Sequence, residues 1–174
     1  MYPSDQTDTR QNRTKTENEL AAFYAGTLFY IFYPIELDTD ATQTILFTRQ
    51  TNIILRDFRI DVTEGDFLTK IYRGGTTSGT WTDITVLPRN ATTLRPSPTY
   101  ASTSTVQYGG TGTGGTQVDQ IRCKTSTATA QQQSVGGSIS DPYGAPAGYG
   151  YYLITAETGG NAILRMTWEE IPAI

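Results

Sequence analysis

The chain has 174 residues, a formal net charge of −4, one cysteine and no histidine. A chain of this length can bury roughly 70% of its unfolded surface, which suffices for one packed domain without a metal or a disulfide. The acidic balance disfavours a phosphate backbone or an anionic membrane, so we expect no nucleic-acid partner and no membrane partner. The absence of histidine removes the commonest general base and metal ligand, so we expect no enzyme and no cofactor.

Residues 1–19 are predicted to be an extended polar arm, because they carry charges of both signs and almost no apolar side chains. The arm has no apolar segment of the signal-peptide kind, and the longest apolar run, Leu28 to Tyr33, is far too short to span a membrane. We therefore expect a product made in the cytoplasm. Residues 20–174 are predicted to form a single domain.

That domain is predicted to be all-β. Threonine, glycine and 11 tyrosines dominate its composition, and branched or aromatic side chains suit a pleated, half-buried surface. Turn residues separate short runs at a spacing typical of a jelly-roll-like antiparallel β-sandwich of about eight strands. The predicted strands are 27–37, 42–49, 52–62, 67–74, 80–87, two near 102–108 and 117–131, and a terminal pair after 149. Residues 63–66 are predicted to form a turn.

The first strand, TLFYIFYPIEL at 27–37, is apolar on both faces. Such a strand is either covered on two sides or lies against a partner subunit. In the strand 52–62 apolar and charged residues alternate, which places Phe58 and Ile60 in the core.

The last segment predicts a hairpin. Apolar side chains recur at every second position from Ala162 to Trp168, which is the period of a half-buried strand. The residues Thr158 to Asn161 tolerate positive φ angles, so they are predicted to close a turn between two strands. Trp168 is then a large anchor of the core.

Four candidate chemical motifs favour ordinary structural roles. Gly110, Gly112 and Gly115 match GxGxxG, but no helix pattern follows them, so we interpret them as a glycine-rich turn. Glu169 and Glu170 are adjacent and point to opposite faces of a strand, so they cannot act as a catalytic pair. The other two are the lone Cys123, interpreted as an inert apolar residue, and a set of carboxylates without calcium-loop spacing at Asp38, Asp40, Glu64 and Asp66.

Aromatic side chains offer one further candidate site. They could stack on sugar rings, or they could fill the edge of the core or an interface between subunits, and we favour the second interpretation. The residues are Trp81, Tyr108, Tyr143, Tyr149, Tyr151 and Tyr152.

Two segments carry a resemblance to a known family. These are KIYRGGTTSGTWTDITVLPRN, of which Tyr72 to Asn90 is the closest part, and YYLITAETGGNAILRMTWEE, Tyr151 to Glu170. Together with the aromatic first strand, they resemble the small jelly-roll decoration, or cement, proteins of tailed-bacteriophage capsids. The resemblance extends over most of residues 27–174, and its motifs consist largely of hairpin sequence.

The resemblance implies a virion structural protein. Three copies would associate as a homotrimer on the outer capsid surface and bridge neighbouring major capsid proteins. The arm, through Arg10, Arg13 and Lys15, is expected to contact the capsid. The trimer interface is expected among Leu28, Phe29, Tyr30, Ile31, Phe32, Tyr33, Tyr143 and Tyr149. The alternative is a head-fibre or receptor-binding module of the same virion that recognises a host glycan.

Overall fold

The computed structural model describes residues 27–89, 101–124, 143–145 and 148–171. Within these ranges the chain forms strands and no helix, so the all-β prediction is confirmed. The predicted arm, with Arg10, Arg13 and Lys15, lies outside the described residues. The strands are β1 Leu28–Leu37, β2 Thr42–Arg49, β3 Ile53–Arg73, β4 Thr76–Ser78, β5 Thr82–Ile84, β6 Leu87–Pro88, β7 Thr105–Tyr108, β8 Thr111–Thr113, β9 Thr116–Lys124, β10 Tyr143–Ala145 and β11 Gly148–Glu170.

Two long strands form the frame of the molecule. β3 has 21 residues and β11 has 23, and they pair antiparallel from one end to the other. Each therefore runs through a region where the sequence predicted a chain reversal. The predicted turn at 63–66 and the predicted hairpin at Thr158 to Asn161 are both wrong, because both halves of β11 pair with β3 and not with each other.

The ribbon of β3 and β11 bends where those turns were predicted. The register between the strands shifts three times between Ala156 and Ala162. Gly65 has a φ of +83°, and a Cβ placed there would lie 2.7 Å from the carbonyl oxygen of Gly159. A Cβ on Gly160 would lie 2.1 Å from the carbonyl oxygen of Glu64. The glycines thus let two backbones cross at close range, and the strands change direction without ending.

The bend divides one curled sheet into two layers. In the first layer β3 residues 66–73 and β11 residues 148–155 lie between β9 on one side and β2, β7 and β5 on the other. In the second layer the remaining halves of β3 and β11 lie between β10 and β1, with β6 beyond β1. With a separate small sheet of β4 and β8, this arrangement is consistent with a jelly-roll-like sandwich.

The core lies between the layers and is built on aromatic contacts. Trp168 of the second layer is fully buried, and its ring lies 5.1 Å from that of Phe47 in the first layer. Phe58 of the second layer stacks on Tyr152 of the first at 4.9 Å. Ile60 is also fully buried. These rings hold the two halves of the bent sheet against each other.

The central part of the chain is less regular than the sequence predicted. The single strand expected at 80–87 is two short strands, β5 and β6, of three and two residues. The expected strand at 102–108 begins only at Thr105, and β9 covers 116–124 of the region predicted as 117–131, with the rest outside the described residues. Short strands with few apolar residues depend on their neighbours for pairing, which a sequence pattern alone does not reveal.

A buried carboxylate fastens the layers at the end of β11. Glu170 is 7% exposed and accepts hydrogen bonds from Ser102 Oγ at 2.6 Å, from Thr103 N and Oγ1 at 3.0 and 2.9 Å, and from Ser104 N at 3.0 Å. Trp168 Nε1 donates to the same carboxylate at 3.4 Å. Burial raises the pKa of Glu170, but the donors from 102–104 outweigh it and the net pKa lies below its ordinary value.

The bend can be tested with an added methyl group. Gly160→Ala is expected to lower the free energy of unfolding by about 2–3 kcal/mol, because its Cβ would overlap the carbonyl oxygen of Glu64. Gly74→Ala is the control, because Gly74 also has a positive φ, +67°, but a Cβ placed there would meet no atom within 4 Å. This substitution should lower the free energy of unfolding by only about 1 kcal/mol. Urea unfolding measures both, and equal losses would contradict a steric role for Gly160.

The hydrogen bonds from residues 102–104 to the carboxylate of Glu170, which we call the Glu170 clamp, make the free energy of unfolding depend on pH. Because the pKa of Glu170 is lowered on folding, its contribution is present above the ordinary glutamate pKa of about 4.3 and disappears as the pH falls through the lowered value. Glu170→Gln should cost about 2 kcal/mol at pH 7, the cost of breaking charge-assisted bonds in a buried site. The difference in the free energy of unfolding between Glu170→Gln and the wild type should shrink towards pH 3. Asp119→Asn, an exposed control on β9, should unfold like the wild type, and a pH-independent deficit for Glu170→Gln would contradict the clamp.

Candidate interaction surface

The outward side of the second layer is an exposed sheet face with large apolar side chains, which we call the β1 face. Along β1, residues alternate between the core and this face. Phe32 is 50% exposed there, and Leu87 of β6, which lies opposite Tyr30, is 41% exposed. Pro34 continues the same row and is exposed. Neighbouring half-exposed apolar side chains on a sheet face are typical of a surface that binds another molecule.

Arginines lie among these apolar side chains. Arg165 of β11 is opposite Phe32, and its guanidinium carbon lies 5.3 Å from the Phe32 ring centroid, a cation–π contact. Arg165 is also directly opposite Arg59 of β3. Both arginines approach Asp61, with Nε to carboxylate oxygen distances of 2.9 Å from Arg165 and 4.0 Å from Arg59. Aromatic and arginine side chains are the residue types enriched at protein interfaces.

A depression of about 520 Å³ lies in the β1 face. It is lined by Tyr30, Phe32, Arg59 and Arg165, together with Arg89, which follows β6. Arg89 is held in place by its backbone N–H, which donates to the Leu28 carbonyl at 2.8 Å, and by Nη1, which donates to Thr167 Oγ1 at 3.4 Å. The depression is open and its rim is cationic, so the face offers both shape and charge to a partner.

The predicted interface residues divide between this face and the core. Leu28, Phe29 and Ile31 are at most 6% exposed, so they are already buried within this chain and offer little surface to another subunit. Alternation along the strand turns Phe29 and Ile31 inward, whereas Leu28 is buried although it shares the parity of Tyr30 and Phe32. Tyr30 and Phe32 are the two that the β1 face retains.

Two of the other predicted interface tyrosines have separate environments. Tyr33 is half-buried, with its ring 5.0 Å from that of Tyr108 and its hydroxyl accepting from Gln43 Nε2 at 3.1 Å. Tyr149 is 39% exposed, and its hydroxyl donates to the Gly75 carbonyl. The structure therefore does not gather Tyr33 and Tyr149 with Phe32. Tyr143 lies in β10, and its side chain is outside the described part of the chain.

The glycine-rich motif supports aromatic packing. A Cβ on Gly110 would lie 2.2 Å from the Trp81 ring, and a Cβ on Gly112, within β8, would lie 2.6 Å from the ring of Tyr151. The small sheet of β4 and β8 thereby covers Tyr151, whose hydroxyl donates to the Gly114 carbonyl. Burial raises the pKa of Tyr151. Strand β9, and not a helix, follows the motif, so it lacks the geometry of a nucleotide loop.

Two of the aromatic candidates for stacking on sugar rings are buried. Tyr151 and Tyr152 are 1% and 4% exposed and stack within the protein, on Tyr72 and Phe58 respectively. Their rings are therefore unavailable to a glycan. Trp81 keeps partial exposure beside Gly110.

The acidic candidates also have structural surroundings. Glu169 pairs with Arg56 while Glu170 lies in its clamp, so the two carboxylates point to different environments as predicted. Cys123 is buried in the core. Among the residues that the structure describes, no group of three or more cysteine, aspartate or glutamate side chains is arranged to hold a metal ion. Asp66 instead pairs with Lys124 at 3.0 Å.

Sequence reasoning missed the arginines of the β1 face. Arg59, Arg89 and Arg165 are far apart in the chain and come together only through the register of β3 and β11 with β1 and β6. The available signal was the first strand, which is apolar on both faces. It indicated that the outer face needed a cover, but not which charges would border it.

The separation of face and core residues on β1 predicts opposite responses to truncation. Phe32→Ala should change the free energy of unfolding by less than about 1 kcal/mol, because half of the ring is already in water. Phe29→Ala, three residues earlier and 1% exposed, should cost about 3–5 kcal/mol. Urea unfolding of the two variants measures the difference. A loss from Phe32→Ala as large as that from Phe29→Ala would show that Phe32 belongs to the core.

No protein-family model, no curated protein and no solved structure matches this chain. Within the described ranges there is no helix of the length and apolarity required to cross a membrane.

Proposed function

We propose that this chain is a structural protein of a bacteriophage virion. It decorates the outer capsid surface and stabilises the shell by bridging neighbouring major capsid proteins as a homotrimer. The observation that carries the proposal is the β1 face, where half-exposed Phe32 and Leu87 lie among arginines on the outside of a packed sandwich. The resemblance of residues 72–90 and 151–170 to capsid decoration proteins supplies the identity of the partner.

The nature of the face favours a protein partner. The sheet presents a broad row of side chains instead of a narrow cleft. Leu87 on β6 lies opposite Tyr30, which is two residues before Phe32 on β1. Large apolar anchors surrounded by arginine are characteristic of surfaces that lose water on binding another protein. A decoration protein needs at least two such contacts, one with its own copies and one with the shell.

The fold favours a mechanical role. Because β3 and β11 continue through both layers, a force applied to one layer passes along covalent strands into the other. The Glu170 clamp and the stacked rings of the core add contacts between the layers. A subunit built in this way transmits load between neighbours without relying on a flexible linker.

The polar arm is assigned to capsid attachment. Its composition, including Arg10, Arg13 and Lys15, permits it to become ordered on a partner surface. A chain that lacks residues 1–19 should therefore remain folded and trimeric but bind capsids more weakly.

Binding to capsids tests the proposal directly. The purified chain should be a trimer by analytical ultracentrifugation and should add to capsids that lack it. Phe32→Ser combined with Leu87→Ser should reduce trimer formation or capsid occupancy at least tenfold, because both apolar anchors are lost. Val118→Ser is the matched control, since Val118 is 47% exposed on β9 in the other layer; its occupancy should equal that of the wild type.

Two outcomes would overturn the proposal. One is a strictly monomeric chain that fails to add to capsids. The other is binding to a glycan array that is lost on Trp81→Ala, which would replace capsid decoration by recognition of a host glycan.

A further inference from the structure

The depression in the β1 face is cationic although the chain is acidic. Its three arginines, Arg59, Arg89 and Arg165, are opposed by two aspartates, Asp57 and Asp61, which leaves one excess positive charge there on a chain whose net charge is −4. Glu36 lies farther along the same outward row of β1. The rest of the surface is correspondingly negative. The partner that best complements this face is therefore an acidic one.

The arrangement of the arginines strengthens this argument. Arg59 and Arg165 are directly opposite each other on neighbouring strands, a pairing of like charges that is unfavourable in isolation. Asp61 is shared between them and neutralises only one of the two. Among the described residues, Arg89 contacts the hydroxyl of Thr167 and no carboxylate. A carboxylate from outside the subunit would complete this set of charges.

The same chain carries exposed carboxylates at the far end of β1, which we call the acidic corner. They lie at the end of β1, in the loop that follows it, and beside the bend of β3, and all four side chains belong to exposed residues: Glu36, Asp38, Asp40 and Glu64. Within the described ranges none of the four forms an ion pair with lysine or arginine. Among the described residues, the acidic corner therefore offers carboxylates that pair with no lysine or arginine and that suit the arginines of the depression.

The two surfaces cannot meet within one subunit. Phe32 and Glu36 lie four residues apart on the same strand, about 13 Å of extended chain, and Asp38 and Asp40 lie beyond the end of that strand. A contact between them must join different copies of the chain. Since it joins two different surfaces, it is heterologous, and such contacts close into rings when the rotation between the copies permits.

We propose that the β1 face of one subunit binds the acidic corner of a second copy of this chain. The proposal rests on the homotrimer of the proposed function and identifies its interface. Phe32 and Leu87 supply the apolar anchors, while Arg59 and Arg89 receive the carboxylates of the neighbour. Because the contact combines apolar burial with exposed charge pairs, the trimer should weaken as the salt concentration rises.

Charge reversal with rescue tests the interface. The face variant carries Arg59→Glu and Arg89→Glu, and the corner variant carries Glu36→Lys and Asp38→Lys. Each should raise the trimer dissociation constant at least 100-fold in analytical ultracentrifugation, because like charges then meet across the contact. A chain that carries all four substitutions restores opposite charges and should recover at least tenfold.

The substitutions are chosen to preserve the fold. Arg59→Glu places a carboxylate opposite Arg165 and so removes a like-charge pair within the sheet. Asp40, with a φ of 60°, and Glu64, which accepts from Asn161 Nδ2 at 3.1 Å, are left unchanged. Lys70→Glu with Arg73→Glu, on β3 in the first layer, changes the net charge equally and should leave the trimer intact. Thermal unfolding verifies that each variant is folded.

Failure of this inference differs from failure of the proposed function. If the chain is trimeric and adds to capsids but neither reversal weakens the trimer, the interface is wrong and the proposed function stands. Folded face and corner variants that are both monomeric, without recovery in the fourfold variant, would also overturn the pairing of these two surfaces. A monomeric wild-type chain that still adds to capsids would overturn the inference and the homotrimer but leave capsid decoration, and one that does not add would overturn both proposals.

Discussion

The crossing of two backbones at two glycines is the constraint on which this structure depends. At Gly65 and Gly160 the strands β3 and β11 approach so closely that no side chain fits between them. The pairing can therefore continue through a bend, and one sheet supplies both layers of the sandwich. The strands β1, β2, β9 and β10 pair directly with this ribbon, so the bend determines which strands face each other across the core.

The bend also determines what the surface can present. Folding the ribbon places Trp168, Phe58 and their partners inside, which leaves the alternate residues of the same strands on the outside. Arg59 and Arg165 are outward neighbours of core residues on β3 and β11, and Phe32 is the corresponding neighbour on β1. The proposed interaction surface is thus the outer side of the most rigid part of the core.

The sequence predicted the fold class and the inward residues where it contained a strong period of two. This was so for the segments around Phe58, Ile60 and Trp168. It failed at Gly159, Gly160 and Asn161, because a Gly-Gly-Asn sequence is equally compatible with a reversal and with a bulge. The decision between them lies in the pairing with β3, about 100 residues earlier in the chain, and no local pattern contains that information.

The candidate surface was predictable only in part, for the same reason. The apolar outer side of β1 was visible in the sequence, but the grouping of Arg59, Arg89 and Arg165 is a product of register between distant strands. The glycine motif shows the opposite case, in which a sequence pattern typical of a site has a structural role. Its spacing is that of a phosphate-binding loop, yet Gly110 and Gly112 are required by the rings of Trp81 and Tyr151. Spacing without its strand and helix context does not identify a site.

The position of β11 has a consequence for the kinetics of folding. This strand comes last among the described strands and pairs with β1, β2 and β3. During synthesis the earlier strands therefore leave the ribosome with edges that have no partner, and the sheet cannot close until β11 emerges. Contacts over such long sequence separations slow the search for the native state. The newly made chain spends that interval exposed to wrong pairing, and its charged outward residues help to keep it from associating too early.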